Sequence, residues 1–449
     1  MRRDDPPGDA SARVPRVIIA FDCRQPLRPG VRLSLSDLDE VLIGRGPIRG
    51  WSRNERRLVI ALPDLEMSRL HVRLVRRGDT WTLHDPGSKN GTVVGGVSST
   101  ECVLKDGDLI ELGHSLLVYR DGDGPTRHPG DRDLAADHAV AEIFRTLSLE
   151  LERRAVDLQR IAPTKVPVLI VGETGTGKEL VARAIHEMSG REGPFVPVNC
   201  GALPRELVES ELFGYRRGAF SGAREDRTGL ARKADHGTLF LDEVAELPEE
   251  SQVALLRLLQ EGEVRPIGSS ELVRVNVRVI AATHQDLETR MDDGRFRRDL
   301  HGRLAGYQMV VPPLRDRIED VGPLIAVLLR RLGLEDGAVT FQQRAAAALF
   351  SHAYPANVRE LEQALGAAVA LASSGSIGLE HLPQPIRSAA ASSPTSLAPE
   401  DAALRTELID LFRQNGGNIR ATARVLDKAP VQIRRWCQRL RIDPGEFRR

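Results

Sequence analysis

The chain has 449 residues, 41% hydrophobic and 28% charged, with a formal net charge of zero. This length predicts several domains, and a neutral chain must bind nucleic acid through a local basic patch rather than through its overall field. The four cysteines are widely spaced, which argues against a disulfide framework or a zinc site and indicates a reducing cytoplasm. The apolar runs are no longer than strands, which argues against a membrane-spanning helix. Residues 1–15 are charged and proline-rich, which predicts a disordered N-terminus and no secretory signal.

Residues 16–120 alternate short apolar runs with Gly, Asp and Asn, a pattern that predicts an all-β sandwich. The runs are RVIIAF, EVLIGR, RLVIAL, HVRLV, TWTLHD, LIELG and SLLVYR. Residues 121–137 are polar and contain Gly and Pro, so we expect a linker there.

This block resembles a forkhead-associated (FHA) domain in its motifs Gly44-Arg45, Ser68-Arg69, His71 and Asn90-Gly91-Thr92. The resemblance implies that Arg45 and Ser68 bind the phosphate of a phosphothreonine, that Arg69 adds a cation and that Asn90 holds the peptide backbone. His71 is then structural. Arg–phosphate pairing is strong and selective, so the implied partner is a phosphothreonine protein or a Ser/Thr kinase. The alternative is a domain that only docks within the molecule.

Residues 138–387 alternate apolar strands with amphipathic helices, which predicts an α/β domain to about residue 311 and a helical lid after it. Its strongest motif is a strand, VPVLIV, followed by the P-loop GETGTGK and a helix beginning ELVARAIH. Backbone amides and the helix N-terminus bind phosphates there. We expect ATP contacts from Gly172, Glu173, Thr174, Gly175, Thr176, Gly177, Lys178 and Glu179. Glu179 stands where the general pattern has Ser or Thr, so the usual hydroxyl ligand of Mg²⁺ is missing.

The run GTLFLDEV predicts a second buried strand, which ends in Asp242 and Glu243. An acidic pair at this place, downstream of a P-loop, suits ATP hydrolysis: we expect Asp242 to hold Mg²⁺ and Glu243 to polarise the attacking water.

Residues 140–372 resemble the central AAA+ domain of sigma-54-dependent activators in the runs PFVPVNCGALPRELVESELFGYRRGAFSGA, RLLQEGEVRPIG, VRVIAATHQDLE, GRFRRDLHGRL, VPPLRDRIEDV and YPANVRELEQAL. In that family GAFTGA is a surface loop inserted in a helix that touches the sigma factor. The matching residues are Gly218, Ala219, Phe220, Ser221, Gly222 and Ala223, with Ser221 in place of Thr.

The same resemblance implies further roles at the nucleotide. Asn199 senses the γ-phosphate and restrains the catalytic glutamate, Thr283 is half of a Thr-Asn sensor whose Asn is His284 here, and Arg359 is the lid arginine on the nucleotide. Arg297 and Arg303 match arginine fingers offered to a neighbouring subunit, where a guanidinium suits the charge of the transition state. Fingers supplied to a neighbour imply a ring, usually a hexamer.

Residues 388–400 are rich in Ser, Ala and Pro and predict a second linker, and residues 401–449 predict a small helical domain. The run GGNIRATARVLDKAPVQIRRWCQRL resembles a Fis-type helix-turn-helix, in which Asn418 caps the first helix, Asp427 replaces the turn glycine and Pro430 starts the recognition helix. The implied DNA contacts are Gln432, Arg434, Arg435 and Arg439. Residues 418–449 hold nine basic and three acidic residues, a local charge that suits double-stranded DNA.

These patterns together predict a multidomain cytoplasmic activator, in which an ATPase motor remodels the sigma-54 RNA polymerase while a dimeric tail binds upstream DNA. The FHA domain is expected to supply two-component-like control, which reaches the motor through a helical segment from about residue 138 to residue 160. One alternative is a DNA-binding regulator whose AAA+ ring is impaired, which Ser221 and His284 favour. Another is an AAA+ ATPase of a different class, against which the GAFSGA loop and the tail argue.

Overall fold

A computed structural model describes residues 14–122, 130–136, 144–392 and 399–426, and also residues 428, 430, 432, 433, 436, 437, 442 and 447. These residues fall into two compact units. The first unit comprises the described residues up to Leu38, Lys105–Gly107 and His114–Pro383, and the second comprises Asp39–Leu104, Asp108–Gly113 and the described residues from Gln384 onward. In this described part of the chain, no helix is both long and apolar enough to cross a membrane.

The first thirteen strands account for every apolar run singled out in residues 16–120. They are β1 (Arg16–Asp22), β2 (Val31–Ser34), β3 (Glu40–Arg45), β4 (Gly50–Asn54), β5 (Arg57–Leu62), β6 (Val72–Arg77), β7 (Thr80–His84), β8 (Val93–Val94), β9 (Val97–Ser98), β10 (Glu101–Val103), β11 (Leu109–Leu112), β12 (Ser115–Arg120) and β13 (Arg132–Asp133).

In the second unit, six of these strands form a sheet in the order β10-β7-β6-β3-β5-β4. β3 and β5 run parallel and the other neighbours are antiparallel. Alternate residues of β5 are buried, namely Leu58, Ile60 and Leu62, which is the period-two burial expected of a sheet with one covered face. In the first unit, β13, β2, β1 and β12 are antiparallel neighbours in that order.

The remaining strands are β14 (Val168–Val171), β15 (Phe195–Asn199), β16 (Gly214–Tyr215), β17 (Arg227–Thr228), β18 (Thr238–Asp242), β19 (Glu263–Val264), β20 (Val273–Arg274), β21 (Arg278–Thr283), β22 (Tyr307–Val310), β23 (Thr340–Phe341) and β24 (Ser376–Ile377). The helices are α1 (Leu149–Ile161), α2 (Lys178–Met188), α3 (Arg205–Phe213), α4 (Leu230–Lys233), α5 (Glu249–Glu261), α6 (Leu287–Asp292), α7 (Arg298–Leu304), α8 (Val321–Arg331), α9 (Gln343–Ser351), α10 (Asn357–Leu371), α11 (Gln384–Ser392), α12 (Pro399–Gln414) and α13 (Ile419–Val425).

Five of these strands form a parallel sheet in the order β15-β18-β21-β14-β22. β14 and β21 are apolar along most of their length because helices cover both faces of the sheet. One core contains Leu158 of α1 and Ile185 of α2, and another contains Leu212 of α3 and Leu255 of α5. The carboxyl ends of the strands therefore meet at one edge of the sheet, where ligands bind in open α/β folds.

Strand β1 packs directly on the lid helix α8. The α-carbon of Gly322 lies so close to β1 that a Cβ built on it would be 1.9 Å from the carbonyl oxygen of Ala20. Beside this contact the ring of Phe21 meets Phe341 edge-on, with centroids 5.3 Å apart, and Phe350 at 5.9 Å. The rings are buried, so β1 and the lid share a small apolar core.

Polar contacts surround this core. Arg120 of β12 forms a largely buried ion pair with Glu319 at 2.9 Å. Asp320 accepts hydrogen bonds from the hydroxyl of Thr146 and the amide of Leu147, both at 2.6 Å. Arg32 of β2 donates to the carbonyl of Leu147 at 3.0 Å. Residues just ahead of α1 are thus hydrogen-bonded on both sides, to β2 and to the short 3-10 helix that precedes α8.

The chain ahead of the parallel sheet is only partly helical. The sequence predicts a coupling helix from about residue 138 to residue 160. The expectation is wrong for residues 144–148, because α1 begins at Leu149. Residues 138–143 of that expected helix lie outside the described residues.

The tail contains the helices α12 and α13, and its apolar contacts join Leu408 and Phe412 to Ala423, Ile433 and Cys437. The side chain of Asn418 accepts a hydrogen bond from the amide of Ala421 at 3.2 Å, which is the cap expected at the start of α13. Gln432 is described and exposed, whereas Arg434, Arg435 and Arg439 lie outside the described residues. The helix-turn-helix therefore stays a prediction.

Candidate functional site

The P-loop connects β14 to α2 at the edge of the parallel sheet. Gly175 and Gly177 adopt φ angles of 79° and 100°, which other residues rarely accept. The buried Lys178 reaches back across the loop and donates from Nζ to the carbonyl of Gly172 at 2.9 Å. Burial lowers the pKa of the Lys178 amine. The loop is thus closed around its lysine.

The acidic pair ends β18, directly beside this loop. The Oε1 atom of Glu243 is 3.9 Å from Nζ of Lys178. Glu243 has a left-handed backbone, with φ 54° and ψ 46°, which costs about 1–3 kcal/mol for a non-glycine residue and is typical of functional sites. Burial, followed by the Glu243 carboxylate, raises the pKa of Asp242. The arrangement brings together the three charged groups that the sequence predicted for phosphoryl chemistry.

Glu243 has a different partner from the one the resemblance implied. Its Oε2 atom is 2.6 Å from Nδ1 of His284. Asn199 ends β15 opposite Asp242, but its side-chain oxygen accepts hydrogen bonds from the amides of Gly201 and Ala202. Among the contacts of the described residues, His284 and not Asn199 holds the glutamate.

Thr283 supports the P-loop from the neighbouring strand. Its carbonyl accepts a hydrogen bond from the amide of Gly172 at 3.1 Å, and its hydroxyl accepts one from the amide of Gln285 at 3.0 Å. The side chain of Thr283 is fully buried. It lies beside the P-loop, with its hydroxyl engaged by the protein.

The lid closes on the P-loop through Asn357, a residue the sequence analysis did not single out. Its Nδ2 donates to the carbonyl of Thr174 at 3.0 Å and to the carboxylate of Glu173 at 3.1 Å, and its Oδ1 accepts from the amide of Leu314 at 2.8 Å. Arg315 also pairs with Glu173, and its hydrogen bonds, followed by that of Asn357, lower the pKa of Glu173 to about 2. Only the position of Asn357 next to the predicted lid arginine could have drawn attention to it.

A cavity of about 270 Å³ lies between the P-loop, α2 and the lid. Its lining is partly apolar and includes Leu180, Pro323, Leu324, Val327, Leu328 and Val358. Arg359 adjoins the loop from the lid, with its Cβ 3.2 Å from a Cβ built on Gly175. Glu179, by contrast, turns outward and pairs with Arg183 at 2.9 Å. A cavity of this size and lining suits a base attached to phosphates on the loop.

The two candidate arginine fingers lie on the surface, away from this loop. Arg297 caps α7 and pairs with Asp299 at 2.7 Å, and Arg303 is exposed in the last turn of α7. Among the described contacts neither residue reaches the P-loop of its own chain. That placement is compatible with residues that act on a neighbouring subunit.

The GAFSGA segment forms an exposed loop. It follows α3 and lies between the two strands of the ribbon β16–β17, rather than within a continuous helix. The amide of Gly218 donates to the carbonyl of Ala223 at 2.8 Å, which closes the loop. Phe220 is 40% exposed, and its ring rests against Tyr215 with centroids 4.9 Å apart. The ring is therefore partly available to another protein.

The predicted phosphopeptide residues meet on one surface of the second unit. The amide of Arg45 donates to the carbonyl of Ser68 at 2.9 Å, and the hydroxyl of Ser68 accepts from the amide of Lys89 at 3.1 Å. The side chains of Arg45, Arg69 and Asn90 are exposed. The loops that carry these residues are thus hydrogen-bonded to one another, and their charged and amide side chains are open to solvent.

The loops at this surface are tied together by buried His71. Its Nδ1 accepts from the amide of Ser68 at 3.1 Å, so its Nε2 carries the hydrogen and donates to the carbonyl of Gly91 at 3.0 Å. Asn90 donates to the carbonyl and the carboxylate of Glu66, at 2.8 and 2.7 Å. A peptide backbone that bonds to Asn90 must therefore compete with Glu66.

Comparison with known families gives three matches along the chain. A model of the sigma-54 interaction domain matches residues 146–310, a model of the AAA+ ATPase lid domain matches residues 315–399, and a model of the FHA domain matches residues 41–113. These matches confirm the all-β front domain and the α/β domain with its lid, and they end at residue 399.

Relatives that match about two thirds of the chain agree with these findings. The transcriptional regulatory protein GlrR of Escherichia coli (strain K12) is 39% identical over 318 residues, which cover 70% of this chain and 71% of GlrR. The Nif-specific regulatory protein of Azotobacter vinelandii is 42% identical over 301 residues, covering 65% of this chain but only 57% of that protein, so the chain spans little more than half of this relative. The crystal structure of NtrX from Brucella abortus covers 67% of this chain and 70% of its own, with 32% identity and a TM-score of 0.50.

Proposed function

The chain belongs to the family of sigma-54-dependent transcriptional regulators and carries an FHA domain, and from this premise we propose that it is an ATP-driven activator. It binds upstream DNA, hydrolyses ATP in a ring and remodels the closed complex of the sigma-54 RNA polymerase, under control by a phosphothreonine partner. The observation that carries the proposal is the meeting of Lys178, Asp242 and Glu243 beside a closed P-loop in a chain that also carries the GAFSGA loop.

ATP hydrolysis is assigned to the edge of the parallel sheet. The P-loop amides and Lys178 bind the phosphates, the partly apolar cavity takes the base, and Glu243 accepts a proton from the attacking water. Bound Mg²⁺ supplies charge neutralisation on the phosphate oxygens, and Asp242 fits it because carboxylate oxygens are the ligands that Mg²⁺ prefers. Arg297 and Arg303 complete the site of the neighbouring subunit.

Remodelling is assigned to the exposed loop between β16 and β17. A partly exposed Phe220 on a closed loop suits an apolar contact with the sigma factor, and Ser221 keeps the hydroxyl of the family threonine. For the motor to move the sigma factor, hydrolysis of the nucleotide beside Glu243 must change the conformation of this loop.

Control by the FHA domain requires that a ligand bind two states of the protein with different affinities. The contacts of β1 and β12 with the lid support such a coupling, because the lid also contacts the P-loop through Asn357. A phosphothreonine partner that changes the FHA domain is thereby proposed to change the lid, and with it nucleotide binding or ring assembly.

DNA binding is assigned to residues 401–449, whose local positive charge suits a duplex. Deleting the residues after Pro399 is expected to abolish specific binding to upstream DNA and to spare ATP hydrolysis at high protein concentration. Footprinting on an upstream element measures the first, and phosphate release measures the second. A truncated protein that keeps the footprint contradicts the assignment.

The second candidate is a DNA-binding regulator whose ring does not remodel the polymerase. It is favoured by His284 and Ser221, which depart from the family, and by the absence of a described contact between Asn199 and Glu243. A measurement of turnover separates the two candidates.

The motor is tested by three proteins at concentrations that allow rings to form. Wild type is expected to hydrolyse ATP, Glu243→Gln to bind ATP without turnover, and Lys178→Ala to lose binding, because each change removes one function of the site. Phosphate release and calorimetry are the measurements. Turnover by wild type that does not exceed that of Glu243→Gln would favour the impaired-ring alternative.

A further inference from the structure

A second cavity, of about 450 Å³, lies where β1 begins, β12 ends and α1 starts. Its wall includes Arg16 of β1, Arg120 of β12, Gly122 and the first residues of α1. No residue described at this cavity also lines the cavity beside the P-loop. Most of the lining side chains are charged, so the cavity suits an ionic ligand rather than an apolar one.

Arg16 is the residue of this wall whose charge the protein itself does not satisfy. It is only 7% exposed, and its Nη1 atom is buried without a hydrogen-bond partner among the described residues. Its Nη2 atom lies 3.9 Å from a Cβ built on Gly122, which is part of the same wall. Burial lowers the pKa of Arg16, although an arginine stays ionised in proteins. A buried cation with an unused donor is costly, and native structures usually give such a group a partner.

The N-terminus of α1 also lines this cavity. Ser148 is the N-cap of this 13-residue helix, and its side chain makes no capping hydrogen bond. Ser148, Leu149 and Glu150 belong to the wall, and the first amides of a helix have no acceptor within the helix. These amides and the helix dipole favour an anion. Arg153, one turn further along α1, adds an exposed cation to the wall.

Carboxylates line the cavity as well, but three of the four are paired with other arginines. Arg120 pairs with Asp106 at 3.0 Å and with Glu319 at 2.9 Å. Arg154 pairs with Glu150 at 2.7 Å, within α1. These acidic groups therefore balance the charges of Arg120 and Arg154.

Two arginines of the wall are left over. Within the described part of the chain, neither Arg16 nor Arg153 has a carboxylate at ion-pair distance. The fourth carboxylate, Asp316, is exposed, and water screens its charge. The unpaired groups of the wall are thus mainly positive, and they lie beside the amides of a helix N-terminus.

We infer that Arg16, Arg153 and the first turn of α1 bind a phosphate group, either free or carried by a small molecule. A phosphate has a negative charge and several acceptor oxygens, which match two guanidinium groups and helix amides. The volume lies within the range of small-molecule sites, so the cavity has room for an organic group on the phosphate. The inference goes beyond the proposed function, because it uses none of the residues assigned to ATP or to phosphothreonine.

The test uses the full-length chain with the changes Lys178→Ala and Arg45→Ala, which weaken the two other sites proposed for phosphate. Inorganic phosphate and glycerol 3-phosphate are titrated into this parent protein, and calorimetry gives the affinity and the number of sites. The ionic strength is held constant, so that general screening does not change during the titration. Thermal melting with and without each probe is the second measurement, because a ligand of the folded state raises the melting temperature.

Three further changes are made in this parent. Arg16→Gln removes the buried guanidinium and Arg153→Gln the exposed one. Arg160→Gln is the matched control, because Arg160 is an exposed arginine in the last turn of α1 and its loss changes the charge equally.

The parent is expected to bind one equivalent of each probe. Arg16→Gln should weaken binding by at least about tenfold, since a hydrogen bond between two charged groups is lost in a buried place. Arg153→Gln should weaken it by a smaller factor because that contact is exposed to solvent, and Arg160→Gln should leave it unchanged.

Absence of binding by the parent overturns the inference, and so does an affinity that Arg16→Gln does not change. If Arg16→Gln does not fold, Arg153→Gln decides, and an affinity equal to that of Arg160→Gln overturns the inference. With the expected losses, tighter binding of glycerol 3-phosphate assigns an organic phosphate to the site, and tighter binding of inorganic phosphate assigns the free ion. ATP turnover enters none of these measurements, so failure of the proposed motor would leave their result intact.

Discussion

At the residue scale, Asn357 connects three segments that are far apart in sequence. It is fully buried, has a φ of 55°, and joins the P-loop residues Glu173 and Thr174 to the amide of Leu314. Asparagine tolerates the left-handed region better than most residues, and its amide has both donors and an acceptor. One side chain therefore hydrogen-bonds a backbone amide ahead of the lid and a backbone carbonyl of the P-loop.

Replacing this residue tests how firmly the lid holds the loop. Asn357→Ala is expected to lower the free energy of unfolding by roughly 2–4 kcal/mol, because it leaves the buried amide of Leu314 without its partner and keeps the left-handed backbone. Asn357→Gly loses the same hydrogen bonds but relieves the backbone, so it should be the milder change by about 1 kcal/mol. Chemical denaturation measures both, and an Ala variant as stable as wild type contradicts the role given to Asn357.

Sequence motifs located part of this site. Lys178 and the acidic pair could be placed at one sheet edge because a P-loop and a strand end are local patterns whose geometry recurs. The contacts of Asn357 with Glu173 and of His284 with Glu243 join residues 184 and 41 positions apart. Single-sequence patterns contain no information on such pairings, so both residues were missed as partners.

At the element scale, the close approach of β1 and α8 depends on the absence of one side chain. Gly322 lies in the first turn of α8, and a Cβ there would be 1.9 Å from the carbonyl oxygen of Ala20. Since that atom belongs to the backbone of a paired strand, no rotamer can relieve the overlap. The helix and the strand can keep this distance only with glycine at residue 322.

Gly322→Ala is therefore expected to separate β1 from α8 and to lower the free energy of unfolding by about 1–3 kcal/mol, the usual cost of overpacking. Gly366→Ala is the matched control, because Gly366 lies within α10 with nothing within 4 Å of a built Cβ. That change should stabilise the chain by about 0.5–1 kcal/mol through helix propensity. Denaturation with hydrogen exchange at β1 is the measurement, and equal stabilities of the two variants would contradict the close contact.

Part of the front domain and of the α/β domain could be predicted, and the strands of the front block that were missed have a common reason. Seven apolar runs predicted seven strands, because alternating or continuous burial leaves a clear pattern in the sequence. The strands that were not predicted, such as β4, β8 and β13, are short or exposed and are specified by their neighbours. The expected helix over residues 144–148 fails because that segment is held by hydrogen bonds to Asp320 and Arg32.

At the scale of the whole molecule, the proposed control is a thermodynamic linkage between two ligands. If a phosphothreonine peptide alters the affinity for ATP by some factor, ATP must alter the affinity for the peptide by the same factor. The domain order could be predicted because each domain has local motifs. The packing of β1 on the lid, which supports a coupling, has no such motif.

The linkage can be measured in the Glu243→Gln variant, in which ATP is not consumed. A phosphothreonine peptide selected from a library should change ATP affinity by about 5–150-fold, with the reciprocal effect in the opposite titration. Arg45→Ala in the same background should weaken the peptide by roughly 2–3 kcal/mol, because a charge-assisted contact is lost, and leave ATP affinity without peptide unchanged. Calorimetry gives all four constants. A phosphate-dependent peptide without any effect on ATP would leave the front domain as a docking module only.

The shared core of Phe21, Phe341 and Phe350 also bears on how this protein can be rearranged by recombination. If a different sensory domain replaced β1 and the strands beside it, Phe341 and Phe350 of the lid would lose the cover that Phe21 now gives them. Such a chimera needs either polar substitutions at both phenylalanines or a new domain that covers them with an apolar strand of its own. Otherwise it exposes an apolar patch that promotes aggregation. An exchange of the front domain therefore requires a matching change in the lid.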